Sequence, residues 1–198
     1  MKVVINKIVV FISFLLLVST THAQLFRAGA ATRVITPDPL LPVSGGVGVP
    51  RPSKEKKGEL YARAMVLEKG STRIAIVNID NLGWSSVLGD RSRALIKGIP
   101  PENILIGATH THSAPDAYAF PDENGKTGAD LVYLDWCTKQ IADAVNEAIA
   151  KLEPALLKTA VDEAHGKIAY NYYADQLYDP RCGVIQVIPA AAASKNNI

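Results

Sequence analysis

Residues 72–80 read Thr72-Arg73-Ile74-Ala75-Ile76-Val77-Asn78-Ile79-Asp80. The run is rich in β-branched residues and apolar on both faces near its centre, the pattern of a strand inside a sheet. Lys69-Gly70-Ser71 before it is a turn, and Leu60 to Glu68 before that is a second strand, so the two runs predict a hairpin. Upstream, Phe26 to Thr36 (FRAGAATRVIT) predicts a first strand, ended by Pro37. Pro37 to Pro52 is a loop rich in Pro and Gly, long enough to be functional or flexible. The charge run Lys54-Glu55-Lys56-Lys57 reads as solvated loop.

Downstream of Asp80, Ser85 or Ser86 can cap a helix that runs to about Lys97 and stops at Gly98. Pro100-Pro101-Glu102 leads into a second buried strand, Asn103 to Thr109. A long helix is expected over Ala129 to Leu152, because Leu134, Cys137, Ile141, Val145, Ala148 and Leu152 recur at three- and four-residue spacing. Two further strands are expected at Leu156 to Glu163 and Gly183 to Ile188, and the tail 191–198 reads as disordered. Strands alternating with helices argue an α/β or mixed α+β layer fold, with α/β, a mixed sheet with flanking helices, the expected class. Ile74 to Asp80 and Ile104 to Thr109 should be buried neighbours away from any exposed edge, with the long helix on one face.

The chain opens with Lys2 and Lys7 around an apolar stretch, Ile8 to Val18, followed by Thr21-His22-Ala23. The stretch falls short of the ~20 apolar residues of a spanning helix and matches a signal h-region. Residues 1–23 are read as a cleaved signal peptide with Gln24 as the new terminus; an uncleaved anchor is the alternative. Export to the periplasm or the medium follows from it. The formal charge is +2 over 198 residues, and removing two lysines makes it zero. A neutral chain of this size suits one domain and gives no reason to invoke nucleic acid. The two cysteines, Cys137 and Cys182, are too few for a disulfide scaffold and are expected to be buried free thiols.

The chemistry is concentrated in Gly107-Ala108-Thr109-His110-Thr111-His112-Ser113-Ala114-Pro115-Asp116. Side chains at i and i+2 of a strand share a face, so His110 and His112 should project together. Two neutral imidazoles on one side can share a metal, or divide ligation and substrate contact between them. The bland alternative is two ordinary histidines at a strand end. Metallo-β-lactamase-like hydrolases require H-x-H-x-D-H, and here Ser113, Ala114 and Pro115 follow His112. A metal-dependent barrel of ~250 residues is excluded by length. His165, in Ala164-His165-Gly166-Lys167, reads as a surface turn; Asp80, Asp116 and Tyr118 are strand-end or loop groups within reach of the motif.

GATHTHSAP strongly resembles the GTHTHSGP segment of the neutral/alkaline, non-lysosomal ceramidase family. AGAATRVITP resembles that family's opening strand, Glu59 to Ala64 with IAIVNIDNLG its hairpin, and Asp179-Pro180-Arg181 with Gly183-Val184-Ile185 a later turn and strand. The likeness spans about Phe26 to Ile188, and residues 24–190 are taken as part of an N-terminal amidase domain. It implies an α/β amidase domain with one catalytic Zn2+, His110 as metal ligand and His112 as the catalytic group that holds substrate or water. It further implies a lipid amide, ceramide-like substrate cleaved to a fatty acid and a sphingoid base, and peripheral membrane contact. Departures are equally specific. The family's further zinc ligands and its serine segment have no counterpart here, and Asn171-Tyr172-Tyr173 stands where the family has Asn-Arg-Arg. A tyrosine cannot supply the fixed charge and fork of arginine. The chain is therefore expected to hold an incomplete site, as part of a secreted zinc amidase; the alternatives are a non-catalytic binding or relic domain of the same fold, or a different metal-dependent hydrolase that uses the His110/His112 pair.

Overall fold

A computed structural model describes residues 25–44, 51–119, 121, 123–166, 170–175 and 177–195. The signal-peptide expectation at 1–23 lies outside them. Six strands form one mixed sheet: β1 (Phe26–Val34), β2 (Tyr61–Lys69), β3 (Thr72–Ile79), β4 (Ile104–Ala108), β5 (Glu153–Glu163) and β6 (Arg181–Pro189). Their spatial order is β4-β3-β2-β1-β5-β6. The β2–β3 hairpin is antiparallel, with Lys69 opposite Thr72, and β1 runs antiparallel to β2 along nine pairs. β3 and β4 are parallel, with Val77 opposite Ile106. A parallel neighbour needs a crossover, and helix α1 (Ser86–Leu95) supplies it. Ser85 caps α1 by accepting from Leu88 N, as expected from the sequence.

Helix α2 (Leu131–Ala150) starts at Asp130, whose side chain accepts from Tyr133 N. Its buried stripe includes Leu134, Cys137, Ile141, Val145 and Ala148. The stripe packs on Ala31, Ala64, Val66, Ala75, Val77 and Ile79 from β1, β2 and β3. Small residues on the strands let the helix come close. Gly29 is the extreme case: a Cβ there would sit 2.1 Å from Ala148 O. Arg33 and Lys151 both pair with Glu147 at this seam.

Four expectations need correction. First, β4 pairs with β3 as expected but lies at the sheet's edge, and Leu105 is 63% exposed. Its apolar run signals one covered face, which Ile104 and Ile106 present to the core; among the described residues no strand covers its other side. Second, β5 and β6 both start earlier than the expected Leu156 and Gly183, at Glu153 and Arg181. Beyond Ala155 every residue of β5 is exposed, so the two strands project as a ribbon. Third, Cys137 is buried but Cys182 is exposed, because it lies on that ribbon opposite Asp162. Fourth, Ala190–Lys195 is a short helix rather than a disordered tail, as its alanine run favours. No helix among the described residues is long and apolar enough to cross a membrane.

Candidate metal site

Strand β4 ends at Ala108, and the motif continues as loop. Thr109 N donates to Ile79 O at 3.0 Å, so the loop departs beside the end of β3. His110 then adopts φ +61°, left-handed backbone that a non-glycine residue rarely takes. The two histidines are therefore not successive same-face residues of a strand. They meet because the chain turns at His110. Their ring centroids are 5.2 Å apart with planes 78° to one another. A metal ~2 Å from a nitrogen of each ring, at a tetrahedral angle, places the centroids roughly 5 Å apart. The spacing thus fits two imidazoles on one cation.

His110 Nδ1 lies 2.7 Å from Leu82 O. A carbonyl oxygen only accepts, so Nδ1 carries the proton, and in the neutral ring Nε2 keeps its lone pair. That is the arrangement a metal-binding histidine uses, with a second-layer carbonyl fixing its tautomer. Sequence reasoning missed Leu82 because its contribution is a backbone atom. Its place in IDNLG, just past the end of β3, was the available signal, since parallel β4 ends beside it.

The segments 79–83 and 109–119 are tied further along. Asn81, fully buried, donates from Nδ2 to Pro115 O at 3.4 Å. Val43 bridges Pro115, and Ser44 N donates to Ala114 O at 2.9 Å. Asp116 is 1% exposed; its Oδ1 accepts from Tyr118 N at 2.8 Å and Ala119 N at 3.1 Å. Asp116 thus shapes the turn after the motif, and among the described residues its Oδ2 has no hydrogen-bond partner. Asp80 is engaged elsewhere, accepting from Tyr61 N and from the Arg63 guanidinium. His165 is exposed in the loop after β5, with β3, β2 and β1 between that strand and β4. The structure therefore brings together His110 and His112 and leaves His165 apart. Among the described residues no three His, Cys, Asp or Glu side chains converge as a metal-binding group.

Beside the motif runs a groove of about 460 Å³ lined by Leu40, Leu41, Val43, Leu60, Ser113 and Pro115. Tyr172 and Tyr173 lie exposed in the β5–β6 loop, where Asn171 Oδ1 accepts from Tyr173 N at 2.9 Å.

Solved structures share this fold. The chain is similar to the crystal structure of neutral ceramidase from Pseudomonas aeruginosa, with a TM-score of 0.60 and 20% identity over 85% of this chain and 30% of that one. It is similar also to a ceramidase complexed with C2, with a TM-score of 0.61, 20% identity and the same coverage. The chain thus spans 30% of the length of each. No protein-family model matches, and no curated protein matches by sequence. The fold is that of part of a neutral ceramidase, an α/β mixed sheet with flanking helices.

Proposed function

We propose that this chain carries part of the active site of an exported zinc-dependent hydrolase that cleaves N-acyl amide bonds of ceramide-like lipids. The observation that carries the proposal is the His110–His112 pair, 5.2 Å apart with His110 held by Leu82 O, at the mouth of a sheet shared with neutral ceramidases. His110 presents Nε2 as a ligand, and His112 orients substrate or water beside it. Zinc bound there would supply Lewis-acid polarisation of an amide carbonyl. The groove is apolar along Leu40, Leu41 and Leu60 and charged along Glu55, Lys56, Lys57 and Glu59, a mixed lining that would take a lipid chain with a polar head near Ser113.

A catalytic zinc needs about three protein ligands, and among the described residues His110 is in place with only His112 beside it. On the reading that the further ligands lie on a continuation of the chain, the chain by itself is expected to show no turnover of an N-acyl sphingosine. Reading the nucleotide sequence beyond Ile198 in all frames tests this reading. A continuation bearing a further histidine ligand supports it, and unrelated sequence favours a non-catalytic binding domain. In the longer product, His110→Ala should abolish zinc content and hydrolysis together. His112→Ala should keep most of the zinc and lose turnover. Hydrolysis that survives His110→Ala would refute the assignment.

A further inference from the structure

Gly83 follows the residue whose carbonyl holds His110, and its α-carbon is covered by a phenol. A Cβ built on Gly83 would lie 1.7 Å from Tyr118 Oη and 2.3 Å from Tyr118 Cζ. Only a residue without a side chain admits the ring there. Glycine also leaves the Leu82–Gly83 peptide free to rotate, since its α-carbon imposes little restraint. Leu82 O belongs to that peptide, and it is the acceptor of the 2.7 Å contact with His110 Nδ1. A rotated peptide would turn the carbonyl away and release the ring to exchange tautomers.

Tyr118 is set in place by features that a surface loop would not otherwise need. Buried Asp116 accepts from the backbone N–H of Tyr118 and of Ala119. Ala119 takes φ +56°, a left-handed conformation costly for a residue with a Cβ. Asn81, two residues before Gly83, donates to Pro115 O and ties the two segments on the other side. The loop thus turns tightly at 116–119 and lays Tyr118 on Gly83, though the tyrosine stays 46% exposed.

We propose that Tyr118 is a positioning residue: its ring, seated on Gly83, locks the Leu82–Gly83 peptide so that Leu82 O holds His110 in the tautomer with a free Nε2. The inference rests on the zinc reading for its functional meaning, but its test does not use zinc or turnover. Gly83→Ala should displace the half-exposed ring from its seat, and thermal unfolding shows whether the fold survives the change.

The experiment is 15N NMR of the metal-free, histidine-labelled chain, with thermal unfolding recorded for each variant. In the wild type and in Tyr118→Phe, His110 should show one tautomer, protonated at Nδ1. In Gly83→Ala and Tyr118→Ala the His110 signals should shift to those of a mixed tautomer, with the unfolding midpoint within a few degrees of wild type. Tyr118→Phe keeps the ring, so it serves as the conservative rescue. Should Tyr118→Ala and Gly83→Ala retain the wild-type His110 signals, the lock does not exist. Should Tyr118→Phe lose them as fully as Tyr118→Ala, the hydroxyl rather than ring packing acts, and the mechanism is wrong. Failure of the zinc reading would appear in metal content and leave these spectra unchanged.

Discussion

The helix-covered half of the sheet and the β5–β6 ribbon are built from similar sequence and meet different fates. In β2 and β3, Ala62, Val66, Val77 and Ile79 are buried under α2. In the ribbon, Leu157, Thr159 and Val161 pair with Val187, Ile185 and Gly183 along one face. That row is nearly as apolar, yet Val161 is 74% exposed. The ribbon is joined to β1 by only two pairs, Arg27 with Pro154 and Ala28 with Glu153. A second small cluster, Ala28, Leu67 and Ala155, closes that junction, and beyond it the ribbon's main neighbour among the described residues is the short helix Ala190–Lys195. Alternating apolar residues therefore specify a strand, but burial depends on a second layer.

The contrast predicts a gradient of stability. Ile141→Ala, in the middle of α2 and fully buried, should cost about 2–5 kcal/mol in urea unfolding. Val161→Ala on the ribbon should stay within about 0.5 kcal/mol. Equal losses at both positions would show that the ribbon is packed in solution. Next in size is Gly29→Ala, whose Cβ meets backbone at Ala148 O and forces α2 outward, for roughly 1–3 kcal/mol.

A smaller effect separates the two thiols. Burial between α2 and the sheet pushes the Cys137 thiol up to about 12 from 9.0, partly offset by its hydrogen bond with Tyr133. Its folded-state value is raised, so its contribution to stability is complete below pH 9 and lost as pH rises toward 12. Burial also pushes Tyr133 upward, in the same direction. Wild type should therefore lose stability across that window more steeply than Cys137→Ala. In the native chain a thiol reagent should label exposed Cys182 and spare Cys137.

Much of the sequence pattern survives contact with the structure, for local reasons. Lys69-Gly70-Ser71 forces the β2–β3 hairpin, Ser85 caps α1, and the three- and four-residue spacing from Leu134 to Ala148 lies on α2. What was not legible is non-local. Leu105 gives no sign that β4 is an edge, because an apolar side chain states a preference and not whether a neighbour arrives. Nor does the site reduce to its motif. The i, i+2 spacing puts the histidines together for the wrong reason, since the left-handed turn at His110 does it. Leu82 O, Asn81 and the seat of Tyr118 on Gly83 arise from two loops that only the parallel β3–β4 pairing brings side by side.

The central proposal is that His110 is a metal ligand, with His112 beside it as the group that holds substrate or water, in the loop just past the end of β4. Zinc titration of the purified chain, with elemental analysis after dialysis, tests it most directly. The account predicts weak binding that dialysis removes, that disappears in His110→Ala, and that is unaffected by His165→Ala. Tight stoichiometric zinc accompanied by turnover of an N-acyl sphingosine in this chain would show a complete local ligand set and contradict it. Zinc binding unchanged by His110→Ala would contradict it equally.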